Sequence, residues 1–365
     1  MKSIRSTILT GICMLIGIFL FSHLGAGLKP TIADDQIRVV ADASVLHSIP
    51  VKHPETVVIK DGNRSMPGTL QIPSGKIEDY AAILLNEFGV NEVLPVEGRP
   101  TFSLTSYGKA MKGSLDRYFH GNLGNLYPSY SSRRQATAEV PFADKLGELL
   151  PKTLRYLLPA LALAIAAGTA SALIASFKPW LGKCFDSIHA ILMALPDFVV
   201  VCLLQILCIF LAQSFDRPFY LIVEFNDRTP FLIPFATIAL IPGALIYGTL
   251  RVAVRREWAE DYIVTARSKG LTRRLIILRH VLRNVADDLF AVLPKATGLA
   301  VAGMVMVEVL CQIFGLGGIV NSPRYNPGES LISVCLILGL LTFALNLFYA
   351  ILKRLLHVDK REVQI

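Results

Sequence analysis

Six apolar blocks, each long enough to cross a bilayer as a helix, divide this chain, and no other feature constrains its fold as much. They run from about Thr7 to Leu28, Thr153 to Phe177, Phe185 to Ala212, Phe231 to Leu250, Leu289 to Ile313 and Leu331 to Leu352. A hydrocarbon core takes about 20 apolar residues per helix. With no water there, backbone N–H and C=O groups must pair within the segment, so only helices or closed barrels cross it. Only 18% of the residues are charged and 53% are hydrophobic, where a soluble domain carries about a quarter charged residues. The chain is therefore expected to be an all-α polytopic membrane protein with six transmembrane helices. Pro159, Pro196, Pro234, Pro242 and Pro294 read as kinks tolerated within a packed bundle.

The organisation along the chain follows. Residues 1–28 form an N-terminal tail and the first span; Lys2 and Arg5 precede an apolar run too long for a typical signal-peptide core, and Ser22-His-Leu-Gly-Ala26 is a poor cleavage site. An uncleaved anchor is expected. Residues 29–150 are polar, an α/β or irregular insertion with helices over Tyr80–Phe88 and Ser106–Phe119 and short strands at Val57–Lys60 and Gly68–Ile72. Residues 151–352 hold the other five spans, and 353–365 form a tail with Lys353-Arg354 and Lys360-Arg361.

Basic residues set the orientation. Nine lysines and arginines between Arg251 and Arg283 share one side with Lys2, Arg5, Lys178, Lys183, Lys353 and Arg354 if there are six spans. Excess Lys and Arg on short loops marks the cytoplasmic side, so both termini are expected inside and the 29–150 segment outside. The same bias accounts for the net charge of +8, and no aromatic-interleaved basic surface points to nucleic acid. The six cysteines form no CxxC pair and the seven histidines no HExxH spacing, so neither a disulfide framework nor metal catalysis is expected.

The 251–284 segment differs from a solvated connector. Good helix formers from Glu257 to Lys269 lead to Gly270, suited to the left-handed turn that ends a helix. Thr272 can cap the next helix, where Leu271, Leu275, Leu278 and Leu282 form an apolar stripe opposite Arg273, His280 and Asn284. A basic amphipathic pattern fits both a helix resting on anionic headgroups and a helix docking a partner; the residues alone leave both open.

Asp261-Tyr-Ile-Val-Thr-Ala-Arg-Ser-Lys-Gly-Leu271, followed by Arg279-His-Val-Leu-Arg-Asn284, resembles the cytoplasmic loop of the dipeptide/oligopeptide/nickel permease family of binding-protein-dependent ABC importers. Gly121-Asn-Leu-Gly-Asn-Leu-Tyr127, Val140-Pro-Phe-Ala-Asp-Lys-Leu146, Leu150-Pro-Lys-Thr-Leu154, Ala194-Leu-Pro-Asp-Phe198 and Phe314-Gly-Leu-Gly-Gly318 resemble further segments of that family, in order, across residues 106–352. The sequence departs from it at Ala286-Asp-Asp288, where proline is usual, at Asn122 in place of aspartate, and at Val358-Asp-Lys-Arg361 in place of Asp-Pro-Arg.

The resemblance implies a type I ABC importer permease fold and a transport subunit forming half of a translocation pathway. It implies a coupling helix in which Asp261, Thr265, Ala266, Arg267, Lys269, Gly270 and Leu271 meet an ATPase, supported by Arg279, His280, Arg283 and Asn284. The implied partners are a second homologous permease, two cytoplasmic ABC ATPases and an extracytoplasmic solute-binding protein, within the lipid bilayer of the bacterial cell membrane. ATP and magnesium would sit in the ATPases and no cofactor in this chain, which has no Gly-x-x-x-x-Gly-Lys-Ser/Thr phosphate cradle. The implied substrate is a short peptide, with nickel chelates or another small solute as alternatives. An ion-coupled secondary transporter would be expected to repeat embedded acids or broken helices in both halves, and a membrane sensor would not need this loop. Glu308, an ionisable residue near the outer end of the fifth span, is a candidate pathway residue by default, with a plain interfacial position as the alternative.

Overall fold

The longest helices outrun a bilayer. In a computed structural model, six helical spans among the described residues are long and apolar enough to cross a membrane: Ile4–Ser22, Phe142–Phe177, Asp197–Ser214, Leu232–Glu257, Arg273–Leu310 and Ser330–Leu356. At 1.5 Å per residue, the 36 residues of Phe142–Phe177 and the 38 of Arg273–Leu310 reach about 54 and 57 Å, against a hydrocarbon thickness of about 30 Å. The structure describes residues 2–29, 32–62, 67–88, 90, 92–98, 100–128, 139–215, 221–225, 228–322 and 324–357. Val358 and Lys360-Arg361 lie outside them.

Two compact units emerge, one of residues 1–22 and 117–365 and one of residues 23–116. The chain enters the first through α1 (Lys2–Ser22). The second contains a short helix α2 (Leu24–Gly27), strands β1 (Leu28–Lys29) and β2 (Ile32–Val40), α3 (Ala43–Lys52), β3 (Val57–Lys60), β4 (Gly68–Gln71), α4 (Ile77–Glu87), β5 (Glu92–Glu97), β6 (Thr101–Phe102) and most of α5 (Leu104–Phe119). Its antiparallel sheet has the order β3-β4-β2-β5. Strand β2 alternates, burying Ile37 and Val39 on either side of exposed Arg38, the period of two that a half-buried strand requires. Leu46 and Ile49 of α3 and Tyr80 and Leu84 of α4 join the same apolar cluster. The insertion is an α/β body, and its compact part ends at Asp116.

Residues from 117 onward pack with the spans. Strands β7 (Asn125–Pro128) and β8 (Val140–Pro141) precede α6 (Phe142–Phe177). Leu126, Phe142 and Leu149 are buried against Phe314, Leu316, Ile319 and Val334. Further along α6, Ala160, Ala164, Gly168 and Ala172 recur every fourth residue and are buried, a small-residue face that lets two helices approach closely. A Cβ at Gly168 would lie 2.7 Å from the Gly243 carbonyl oxygen.

The third span departs from expectation. It is not one helix over 185–212 but two, α7 (Pro179–Ala194) and α8 (Asp197–Ser214). Pro196 has no N–H to continue α7 and holds Leu195 extended (φ −86°, ψ 135°). Pro196 is therefore a break rather than a kink. Pro159, Pro242 and Pro294 do lie inside helices, and Pro234 sits in the first turn of the next one.

That helix, α9 (Leu232–Glu257), continues two turns past its expected end at Leu250. The chain then passes through α10 (Asp261–Ser268), α11 (Arg273–Ile276) and a π-helical turn (Ile277–Val281) into α12 (Leu282–Leu310). After a 3-10 turn (Gly318–Asn321) and β9 (Tyr325–Asn326), α13 (Ser330–His357) closes the bundle. The main core lies where α6, α9 and α12 meet, around Leu157, Ala160, Ile246, Val254, Ala296 and Met304.

Candidate functional site

Most of the 251–284 segment is helix. Arg251, Arg255 and Arg256 occupy the last two turns of α9, and residues 273–284 already belong to the helix that becomes the next span. The expected helix from Glu257 to Lys269 is interrupted at Trp258–Glu260, so α10 starts at Asp261. Only Trp258–Glu260 and Lys269–Thr272 are non-helical.

The end of α10 is a Schellman motif. Gly270 adopts φ +75°, its N–H donates to the Arg267 carbonyl at 2.9 Å, and the Leu271 N–H donates to the Ala266 carbonyl at 3.2 Å. These are the 5→2 and 6→1 bonds that satisfy otherwise orphaned carbonyls. Ala266 is buried and Leu271 packs on the same cluster, the apolar contact that accompanies this cap. Thr272 takes the N-cap position of α11 with extended backbone but no side-chain capping bond.

Around this turn the candidate residues divide by role. Ala266, with Ile263, anchors α10 to the core. Asp261, Thr265, Arg267, Lys269 and Gly270 are exposed, and the Thr265 hydroxyl donates back to the Asp261 carbonyl at 3.3 Å. The guanidinium carbons of Arg267 and Arg273 lie 5.2 and 5.1 Å from the Trp258 ring centroid, within cation–π range. Arg279 and Arg283 are exposed, while His280 is half-buried, its ring 6.4 Å from that of Tyr262.

The leucine stripe is not the buried face. Ile276, Ile277, Val281 and Val285 are buried, whereas Leu275 and Leu278 are 42% and 50% exposed. The segment offers two apolar rows, and the one through Ile277, Val281 and Val285, spaced four apart, is the row that meets the bundle. Two of the polar residues expected on the outer face are tied to neighbouring helices. Arg273 donates to the Ser176 carbonyl at 2.5 Å, placing its charge at the C-terminus of α6, where the helix dipole favours a cation. The Asn284 amide donates to Glu257 at 2.9 Å.

Glu257 and Asp186 were not legible as site residues. Glu257 is buried at the end of α9 and also accepts from the Tyr262 hydroxyl at 2.7 Å, so one carboxylate ties α9, α10 and α12 together. Burial, then the bond to Glu257, pushes the Tyr262 phenol up to about 12. Asp186 of α7 accepts from the Tyr247 hydroxyl at 2.5 Å and from Arg255 at 2.9 Å, and lies 3.4 Å from Arg251. Burial acts to raise its carboxyl, but the Tyr247 bond and the two arginines outweigh it and hold it below the usual carboxylate range. Arg256 reaches Asp288 at 2.8 Å. Thus the arginines at the end of α9 are ordered by acids on α7 and α12.

Glu308 is fully buried and lines no open surface. Its carboxylate accepts from Thr153 at 2.6 Å, from Tyr156, and from the N–H groups of Gly317 and Gly318 at 2.6 and 2.8 Å. Glu224 accepts from Lys152 at 2.8 Å and from the Phe314 N–H at 2.8 Å. Together the two acids hold the Phe314–Gly318 loop onto α6. The glycines follow from that closeness: a Cβ at Gly315 would lie 2.3 Å from a Glu308 oxygen, and one at Gly318 only 1.8 Å from the Ile313 carbonyl. In this structure Glu308 ties that loop to α6 and the fifth span. Among the described residues no group of three or more His, Cys, Asp or Glu is disposed to hold a metal ion.

Residues 160–361, more than half of the chain, match the family described as the binding-protein-dependent transport system inner membrane component. The dipeptide transport system permease protein DppB of Escherichia coli (strain K12) is 36% identical over 86 residues, 24% of this chain and 25% of that protein. DppB of Bacillus subtilis (strain 168) is 25% identical over 181 residues, 48% of this chain and 56% of its own length. The chain thus spans between a quarter and about half of these relatives. A chain of the MetNI methionine ABC transporter, in an inward-facing conformation, aligns with a TM-score of 0.46 and 15% identity, over 60% of this chain and 98% of that one.

Proposed function

This chain belongs to the family of binding-protein-dependent transport system inner membrane components, and from that premise we propose that it is the membrane-spanning subunit of an ATP-driven importer of short peptides. The observation that carries the reading is the α10–Gly270–α11 hairpin. It is fastened to the bundle through Ile263, Ala266, Tyr262–Glu257 and Arg273–Ser176, while Val264, Arg267, Lys269 and Leu275 stay exposed. A rigid, partly apolar and cationic knob of this kind suits docking in a groove of a partner. Movement of the partner would be transmitted directly to α9 and α12.

In this reading two ATPase subunits bind and hydrolyse ATP with magnesium, and this chain supplies no nucleotide site. Asp261, Thr265, Arg267, Lys269 and Gly270 form the contact, with Arg279 and Arg283 beside it. The excess of Lys and Arg at the hairpin supports a cytoplasmic position for it and for both termini. The 29–150 segment is outside, where a solute-binding protein delivers cargo, and a second, related permease completes the pathway. The peptide assignment rests on the names of the relatives, both of them dipeptide permeases.

Reconstituting the chain with its co-expressed partners in liposomes tests the proposal. ATP-dependent uptake of di- to pentapeptides is expected, together with labelling of a cysteine at Lys269 only from the cytoplasmic side. Labelling of that position from outside sealed cells would reject the reading.

A further inference from the structure

We propose that the cleft between α1, α12 and α13 is a binding site for one anionic phospholipid. The first helix packs along α13, where Gly11 admits the Phe343 ring, and between it and α12 it leaves a cavity of about 320 Å³. A cleft of this size within the span region must be filled by something drawn from the bilayer or from another chain. Its lining selects the occupant.

One part is apolar, made by Met14, Phe290, Pro294 and Phe343, and accepts acyl chain; the other carries the hydroxyls of Ser6, Thr7 and Thr10, the Asn346 amide and the Lys353 ammonium. The polar part lies toward the chain ends of α1 and α13, where a headgroup belongs. Lys353 is 35% exposed and 3.4 Å from Asp287. Lys353 is thus the cation that lines the polar end, and Arg5 and Arg354, next in the sequence to Ser6 and Lys353, add to the basic character of the two chain ends. Such basic pockets between spans suit anionic headgroups.

Asn346 lines the cleft with its Oδ1 turned away from the open space. Its Oδ1 is buried with no hydrogen-bond partner, a state that has a cost within an apolar bundle. Seven residues, about 10 Å along the helix, separate it from Lys353. That spacing suits a lipid whose phosphate meets Lys353 and whose glycerol-ester region reaches the amide. Rotation of the amide by half a turn offers either its donor or its acceptor there. Asn346 and Thr10 thus recognise the ester region and Lys353 the charge.

The test uses the full-length chain with its co-purifying subunits, exchanged into nanodiscs of equal dioleoylphosphatidylglycerol and dioleoylphosphatidylcholine, and then analysed by native mass spectrometry. Wild type is expected to retain phosphatidylglycerol in preference. Lys353→Gln should reduce that preference about fivefold, as expected for one cation near a headgroup, and Lys353→Arg should keep it. Ala291→Trp, at an exposed lining position, should expel the lipid without altering charge. Equal retention of both lipids by wild type would overturn the proposal. So would an unchanged preference in Lys353→Gln, a surface change that leaves the fold intact, or a copurifying protein segment cross-linked into the cleft in place of lipid.

Discussion

The Asn284 side-chain amide donates to the Glu257 carboxylate at 2.9 Å, joining the last turn of α9 to the first turn of α12 across the whole α10–α11 hairpin. The same carboxylate oxygen accepts from Tyr262 at 2.7 Å. With these contacts the hairpin cannot swing independently of the two helices that flank it.

Glu257→Ala strips the acceptor from two partly buried donors, and a loss of about 1–3 kcal/mol is expected. Thermal unfolding of the purified protein, with limited proteolysis of the hairpin, measures it. In a double-mutant cycle with Asn284→Ala the two losses should fall short of additivity by at least about 0.5 kcal/mol. Strict additivity would show that the bond contributes nothing.

Tyr262 gives that tie a pH dependence at the alkaline end. Its phenol is raised from 10.0 to about 12 by burial and by the bond to Glu257, so folding favours the neutral form. The contribution is present in full below pH 10 and disappears as pH rises toward 12. Spectrophotometric titration should show a late-ionising tyrosine that Tyr262→Phe removes. A wild-type titration identical to that of the mutant would refute the assignment.

Gly270→Val places a β-branched residue at φ +75°, a conformation that costs L-residues about 1–2 kcal/mol. No atom beyond its chain neighbours lies within 4 Å of a Cβ there, so the penalty comes from the residue's own backbone rather than from a packed neighbour. Transport coupled to ATP hydrolysis should fall while the spans remain folded. Gly270→Asn should retain most of the coupling, because asparagine tolerates the left-handed region.

Glu308→Leu leaves Thr153, Tyr156 and two glycine N–H groups facing a side chain that accepts nothing. A loss of at least about 3 kcal/mol is expected from several buried donors left unpaired. Gly318→Ala should be comparably harmful because its Cβ would meet the Ile313 carbonyl. Gly298→Ala, at a helical site with no atom within 4 Å, should instead be neutral or stabilising by up to about 1 kcal/mol. Melting temperatures of the three variants in one detergent settle the comparison.

Asp186→Asn releases Arg251 and Arg255 from their shared acid. The carboxylate is 38% exposed, so screening keeps the expected loss within about 1 kcal/mol. Because the folded carboxyl is held below its usual range, its contribution is present above that range and is lost as pH falls through it. The difference in melting temperature between wild type and Asp186→Asn should therefore shrink on acidification; a constant difference would contradict the pairing.

The sequence by itself determined the six-span architecture, because about 20 apolar residues in a row leave the chain one way to satisfy its backbone in lipid. It also determined the end of α10, since Gly270 followed by Leu271 specifies a left-handed cap through local sterics. In the 23–116 unit it placed β3 at Val57–Lys60 as found, but missed β2, whose Asp34 and Asp35 mask the alternation. Only the tertiary structure decided the roles of the polar residues. Glu308 meets Tyr156 across 152 positions, and Arg273 meets Ser176 across 97, separations at which no local spacing rule operates. It also decided which side of the 273–285 helix is buried, because the bundle takes the row through Ile277, Val281 and Val285 rather than the equally apolar leucines beside it. Backbone constraints act between near neighbours and can be read along a line; the pairing of buried charges depends on which helices meet.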